Sequence, residues 1–129
     1  MNSKFLQKIE SLGLVSFMNK TKWALLAKEF TSGKAFQPKV QYKEIGNDKL
    51  YGFSHFDWDS IRGGSNCETI EWMKIETVEH INRGRLAEKL NVDHMTELID
   101  ILKRCKISFE VEGSIIIIFG YKGGPDQLL

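Results

Sequence analysis

The sequence predicts an α+β domain: about five mainly antiparallel strands covered by two or three helices. Three observations lead there. Residues 107–121 read as a β-hairpin whose second strand, Ile115–Phe119, is apolar on both faces and so belongs in the middle of a sheet. Residues 19–30 and 95–105 each carry an apolar stripe at helical spacing. Between those stripes, three β-rich segments are separated by turn clusters rather than alternating with helices.

Taken in order, residues 3–12 place Phe5, Leu6, Ile9 and Leu12 on one helical face, with Gly13 as the stop. Because Met18-Asn19-Lys20-Thr21-Lys22-Trp23 opens a second helix, residues 1–17 read as an N-terminal helical extension of a core that begins near Met18. In that second helix, Asn19 or Thr21 supplies the N-cap, and Trp23, Leu26, Ala27 and Phe30 form the stripe. Pro38 forces an extended start to a strand over 40–45, and Gly46-Asn47-Asp48 turns the chain. Residues 50–59 read as the next strand, with Tyr51, Phe53, His55, Asp57 and Asp59 on one face. A loop at Gly63-Gly64-Ser65-Asn66 leads to a strand over 69–76, whose parity slips between Trp72 and Met73. The slip predicts a bulge there or burial on both faces. Residues 77–92 give little signal beyond a helical turn near 86–90. Asp93 then caps a helix with Met95, Leu98, Ile99, Leu102 and Cys105 inward and Lys103, Arg104 and Lys106 at its C-terminus. The hairpin follows, and residues 122–129 read as a flexible tail. The whole, 1–129, is a single domain.

A net charge of +1 gives no global drive towards nucleic acid or an anionic membrane. The charge is unevenly spread, however. Residues 1–50 carry nine lysines against four acids, whereas 57–79 carry six acids (Asp57, Asp59, Glu68, Glu71, Glu76 and Glu79) against Arg62 and Lys74. No apolar run approaches the roughly 18 residues that span a bilayer. Residues 1–14 have no apolar leader core, so a cytoplasmic setting is expected, with Cys67 and Cys105 as free thiols.

His55-x-Asp57-x-Asp59 is the sharpest local pattern. On a strand, period two would put an imidazole and two carboxylates on one side, which are donors suited to a divalent metal or to proton transfer. A solvated strand face is the simpler reading, since no further ligand motif accompanies the three. His80 and His94 fall in the poorly patterned region, and neither cysteine has the short paired spacing of a zinc site. No catalytic residue is assigned, and no motif implies a cofactor. The acidic run instead mixes with aromatics. Tyr51, Phe53, Asp57, Trp58, Asp59, Glu68, Glu71, Trp72 and Glu76 combine negative charge with residue types that anchor interfaces.

Met18-Asn19-Lys20-Thr21-Lys22-Trp23, Phe56-Asp57-Trp58-Asp59, Ile70-Glu71-Trp72-Met73-Lys74-Ile75, Ile107-Ser108-Phe109, Glu112-Gly113-Ser114-Ile115-Ile116-Ile117 and Phe119-Gly120-Tyr121 together resemble a family of small uncharacterised bacterial proteins, over roughly 18–122. That resemblance implies a fold and carries over no catalytic residue. In size, architecture and acidic-aromatic patch the chain is also similar in type to the immunity proteins that bacteria encode beside secreted toxins, including contact-dependent inhibition systems. The expectation that follows is a non-catalytic protein-binding module, with a cognate, basic, nuclease-like toxin domain as partner. The rivals are a small metal-dependent enzyme centred on His55, Asp57 and Asp59, and a homodimeric structural or regulatory protein. Whether the chain is monomer or homodimer is left open by the sequence.

Overall fold

A computed structural model describes residues 14–33, 36–61, 67–81 and 90–123. The predicted helix over 3–12, the loop at 63–66, residues 86–89 of the predicted helical turn at 86–90 and the end of the tail at 124–129 lie outside the described residues, and Leu90 begins a strand.

Five antiparallel strands form the main sheet in the order β3-β2-β4-β8-β7. They are β2 (Lys39–Glu44), β3 (Ser54–His55), β4 (Ile70–Glu76), β7 (Phe109–Glu112) and β8 (Ile115–Phe119). The α+β class is therefore as the sequence implies. The apolar β8 is internal, between β4 and β7, while β4 takes the middle place. Two helices, α1 (Lys20–Thr31) and α2 (Met95–Arg104), pack on one face of this sheet among the described residues. Cross-strand register puts Val40, Ile75 and Ile116 in one row and Met73 and Ile118 in another, all buried. They share a core with Trp23, Leu26 and Phe30 of α1 and Leu98, Ile101 and Leu102 of α2. Each such aliphatic side chain, fully buried, contributes about 1.5–3 kcal/mol. The opposite face alternates polar and aromatic groups: Lys43 pairs with Glu71 at 2.8 Å, and the Lys74 ammonium lies 5.1 Å from the centre of the Trp72 ring.

Local chemistry sets the element ends. The Asn19 side chain accepts the Lys22 N–H at 2.8 Å and caps α1. Asp93 accepts the Met95 N–H at 2.8 Å at the start of α2. At its other end, α2 closes with the Ile107 N–H on the Leu102 carbonyl and the Lys106 N–H on that of Lys103, which puts Lys106 in the left-handed region at φ 57°. Gly113, at φ 62°, forms the two-residue turn between β7 and β8.

Three predictions need correction. The expected strand over 50–59 pairs only at Ser54–His55, and a 3₁₀ turn, Trp58–Ile61, follows it. Burial of Trp58 accounts for this. The indole sits 5.0 Å from Phe30 and 4.7 Å from Phe56, ring centre to ring centre, so the chain turns inward where continued pairing would have carried it along the sheet edge. The bulge in β4 falls one residue earlier than expected, at Glu71. There β4 advances two residues, from Ile70 to Trp72, while β2 advances one. Finally, residues 122–123, expected in the flexible tail, belong to β9 (Tyr121–Gly123), which pairs antiparallel with β1 (Leu14–Ser16). Two described stretches of the poorly patterned region are also clearer than the sequence suggests: β5 (Val78–Ile81) and β6 (Leu90–Asp93) pair antiparallel as a separate two-stranded sheet.

Candidate functional site

Within the predicted acidic-aromatic patch, one aromatic is buried and three acids are paired. Trp58 is a core residue, only 3% exposed. Three acids are engaged by cations or imidazoles: Glu68 by Lys20 at 3.2 Å, Glu71 by Lys43, and Glu76 by His80 at 3.1 Å. Half-buried Trp72 lies under Lys74. What remains at the surface is the segment around β3. Tyr51 is 66% exposed and its neighbour Leu50 is 50% exposed, with Phe53 half-buried and Asp57 and Asp59 exposed. This segment is tied to the sheet edge: the Gln41 side-chain amide donates to the Tyr51 carbonyl at 2.7 Å, and Ser54 pairs with Val40. Lys49 lies 5.2 Å from the Tyr51 ring centre and Tyr42 packs edge-on against Phe56.

The His55-Asp57-Asp59 metal reading fails on geometry. Only His55 is in the strand, so period two does not align the three groups. Among the described residues no group of three His, Cys, Asp or Glu side chains is arranged to hold a metal ion.

The structure does bring all three histidines together elsewhere. They line a cleft of about 740 Å³ at the end of the sheet, between the β2–β3 edge and the β5–β6 hairpin. His94, at the start of α2, is held on both sides. Its Nε2–H donates to Glu79 of β5 and its Nδ1–H to Glu97 of α2, each at 2.9 Å. Phe36 stacks on the imidazole at 3.9 Å and nearly parallel, and its own N–H donates to Glu97. Burial works to lower the His94 pKa, but the hydrogen bonds and charges of Glu79 and Glu97 outweigh it, and the net shift is upward. The hydrogen bond from His94 holds the Glu97 carboxyl below its ordinary range. Burial opposes this, and the Phe36 N–H and the His94 charge reinforce it. Nearby, the His80 ring bridges Glu76 and Asn91, the latter at 2.8 Å. Lys39 and His55, cross-strand neighbours, complete the cleft, and their side chains make no hydrogen bond or ion pair among the described residues.

Chemically this arrangement favours holding over reacting. Each ring nitrogen of His94 is held by a carboxylate, so proton exchange through the ring first has to break one of the two contacts. The thiols are also unsuited to attack. Burial, then the charge of Glu68, pushes Cys67 up to about 12. Burial, then Glu29, raises Cys105 against the opposing pull of Arg104.

A family model matches residues 5–124. The chain belongs to the family of unknown function DUF6678. Membership accounts for the resemblance carried by the sequence motifs and brings no activity with it. No curated protein and no solved structure gives a significant match.

Sequence reasoning missed Leu50, Lys39, Glu79, His80, His94 and Glu97. His94 and Glu97 stand three residues apart at the start of a well-patterned helix, where one helical turn makes them neighbours. That spacing was the available signal.

Proposed function

We propose that this member of the DUF6678 family is a protein-binding module, acting as an immunity protein that neutralises a cognate basic toxin domain by direct binding. The carrying observation is the exposure of Leu50 and Tyr51, 50% and 66%, on a segment pinned to the sheet edge. A large apolar side chain and an aromatic one held in water by a fixed backbone suit interface anchors, which lose little conformational entropy on docking. Asp57 and Asp59, exposed on the same segment, supply the charge that would steer a basic partner. The buried, high-pKa thiols and the doubly engaged His94 fit a protein that acts by occupancy.

Co-expression with the products of neighbouring genes tests this. A toxin domain among them should cease to arrest growth when the chain is present. Leu50→Asp with Tyr51→Asp should abolish that protection and weaken binding by about 100-fold, equivalent to about 2.7 kcal/mol, with the melting temperature little changed. Protection that survives both substitutions removes the reading, as does the absence of any protected partner.

A further inference from the structure

The histidine cleft has a charge arrangement of its own and shares His55, but neither Leu50 nor Tyr51, with the exposed segment around β3. The basic groups whose side chains are unpaired among the described residues are Lys39 on β2 and His55, its register partner on β3. Two of its carboxylates come from β4 and β5. Glu76 ends β4, one step beyond the Ile75–Val40 pair, and Glu79 projects from β5. Both carboxylates are fixed in place through one oxygen, Glu76 by His80 and Glu79 by His94. Their second oxygens accept nothing among the described residues. The cleft therefore sets Lys39 and His55, which have no side-chain hydrogen bond or ion pair among the described residues, beside two oriented acceptors, within a volume typical of small-ligand sites.

The sign balance selects the ligand. A purely anionic molecule drawn to Lys39 would meet Glu76, Glu79 and Glu97. A purely cationic one drawn to the glutamates would meet Lys39 and the His94 ring. A molecule that carries both charges pairs with both sets of groups and meets neither set with a like charge alone. We propose that the cleft binds a small zwitterion, an amino acid or short unblocked peptide, with its carboxylate at Lys39 and His55 and its ammonium at Glu76 and Glu79. The paired imidazoles act as positioning groups: they hold the carboxylates before the ligand arrives, which lowers the ordering cost of binding.

The test is an NMR titration of the full-length, 15N-labelled chain near pH 7. The probes are the twenty amino acids and a set of unblocked dipeptides, added singly to about 10 mM, together with the N-acetylated and C-amidated forms of any that bind. At least one zwitterion should shift the backbone amides of Lys39, His55, Glu76 and Glu79. Removing either charge should weaken binding tenfold or more. Lys39→Met, which removes no side-chain hydrogen bond or ion pair among the described residues, should do the same, whereas Leu50→Asp with Tyr51→Asp should leave the titration unchanged. The last comparison separates this site from the proposed protein-docking segment, so either can fail without the other. No shift with any probe, or blocked forms that bind as well as the zwitterion, overturns the proposal.

Discussion

The main sheet and the β5–β6 hairpin are held by different forces. The sheet is closed by apolar rows, Val40-Ile75-Ile116 and Met73-Ile118, under two helices. The hairpin is only two strands wide, too small to be stable by itself. It is fastened by polar contacts: Glu79 to His94, Glu76 to His80, and Thr77 at its root. Thr77 is fully buried, with its hydroxyl donating to the Ser114 carbonyl at 2.6 Å and its own carbonyl accepting the His94 N–H. Apolar burial is indifferent to pH, whereas imidazole–carboxylate contacts are not. The two halves should therefore come apart under different conditions.

The largest expected effect falls on the sheet. Gly120 follows β8 where the chain runs against β4. Its N–H donates to the Glu71 carbonyl at 2.8 Å and its own carbonyl accepts the Phe17 N–H. A β-carbon there would press into the Ile70 backbone carbonyl. Backbone cannot move aside as a side chain can, so Gly120→Ala should cost about 3 kcal/mol or more. Chemical denaturation should register this as global destabilisation, with the β5–β6 hairpin lost together with the rest.

A smaller and pH-dependent effect belongs to the clamp. The His94 pKa is raised on folding, so its contribution is fully present below the ordinary value of 6.5 and fades as pH rises through the folded value. The Glu97 pKa is lowered, so its contribution is fully present above the ordinary 4.5 and fades as pH falls through the folded value. The clamp is thus strongest between about pH 4.5 and 6.5. His94→Asn should cost about 1–2 kcal/mol in that window and much less near pH 9, with faster amide exchange concentrated in β5 and β6. An equal cost at both pH values would mean that His94 acts mainly through its stacking on Phe36.

The smallest effect sharpens the contrast from the side of the main core. Lys106 holds a left-handed backbone conformation that a side chain disfavours. Lys106→Gly should stabilise the chain by about 0.5–1 kcal/mol, read as a rise in melting temperature, and leave the pH dependence of the hairpin untouched.

How much of this the sequence disclosed follows the same division. Periodic burial is written locally, so α1, α2 and the β7–β8 hairpin were legible from Trp23-Leu26-Phe30, Leu98-Leu102 and the Ile115–Phe119 run. The 50–59 segment misled because its alternation of apolar and polar residues is real, while its course is decided by a distant partner, Phe30, that draws Trp58 inward. The cleft was illegible for a related reason. His55, His80 and His94 come from three separate elements, and only the sheet order sets them around one space. The acidic run looked like a surface field because sequence lists charges without their partners. Lys20, Lys43 and His80, which engage Glu68, Glu71 and Glu76, lie at quite different separations along the chain.

The pairing of β1 with β9 bears on the order of assembly. It joins residue 14 to residue 123, whereas the β7–β8 turn closes over two residues. Loop-closure entropy makes the distant pairing the costlier to form early and favours the local hairpin as an early nucleus. The β1–β9 ladder should then form late in refolding, once the sheet between its two strands is in place.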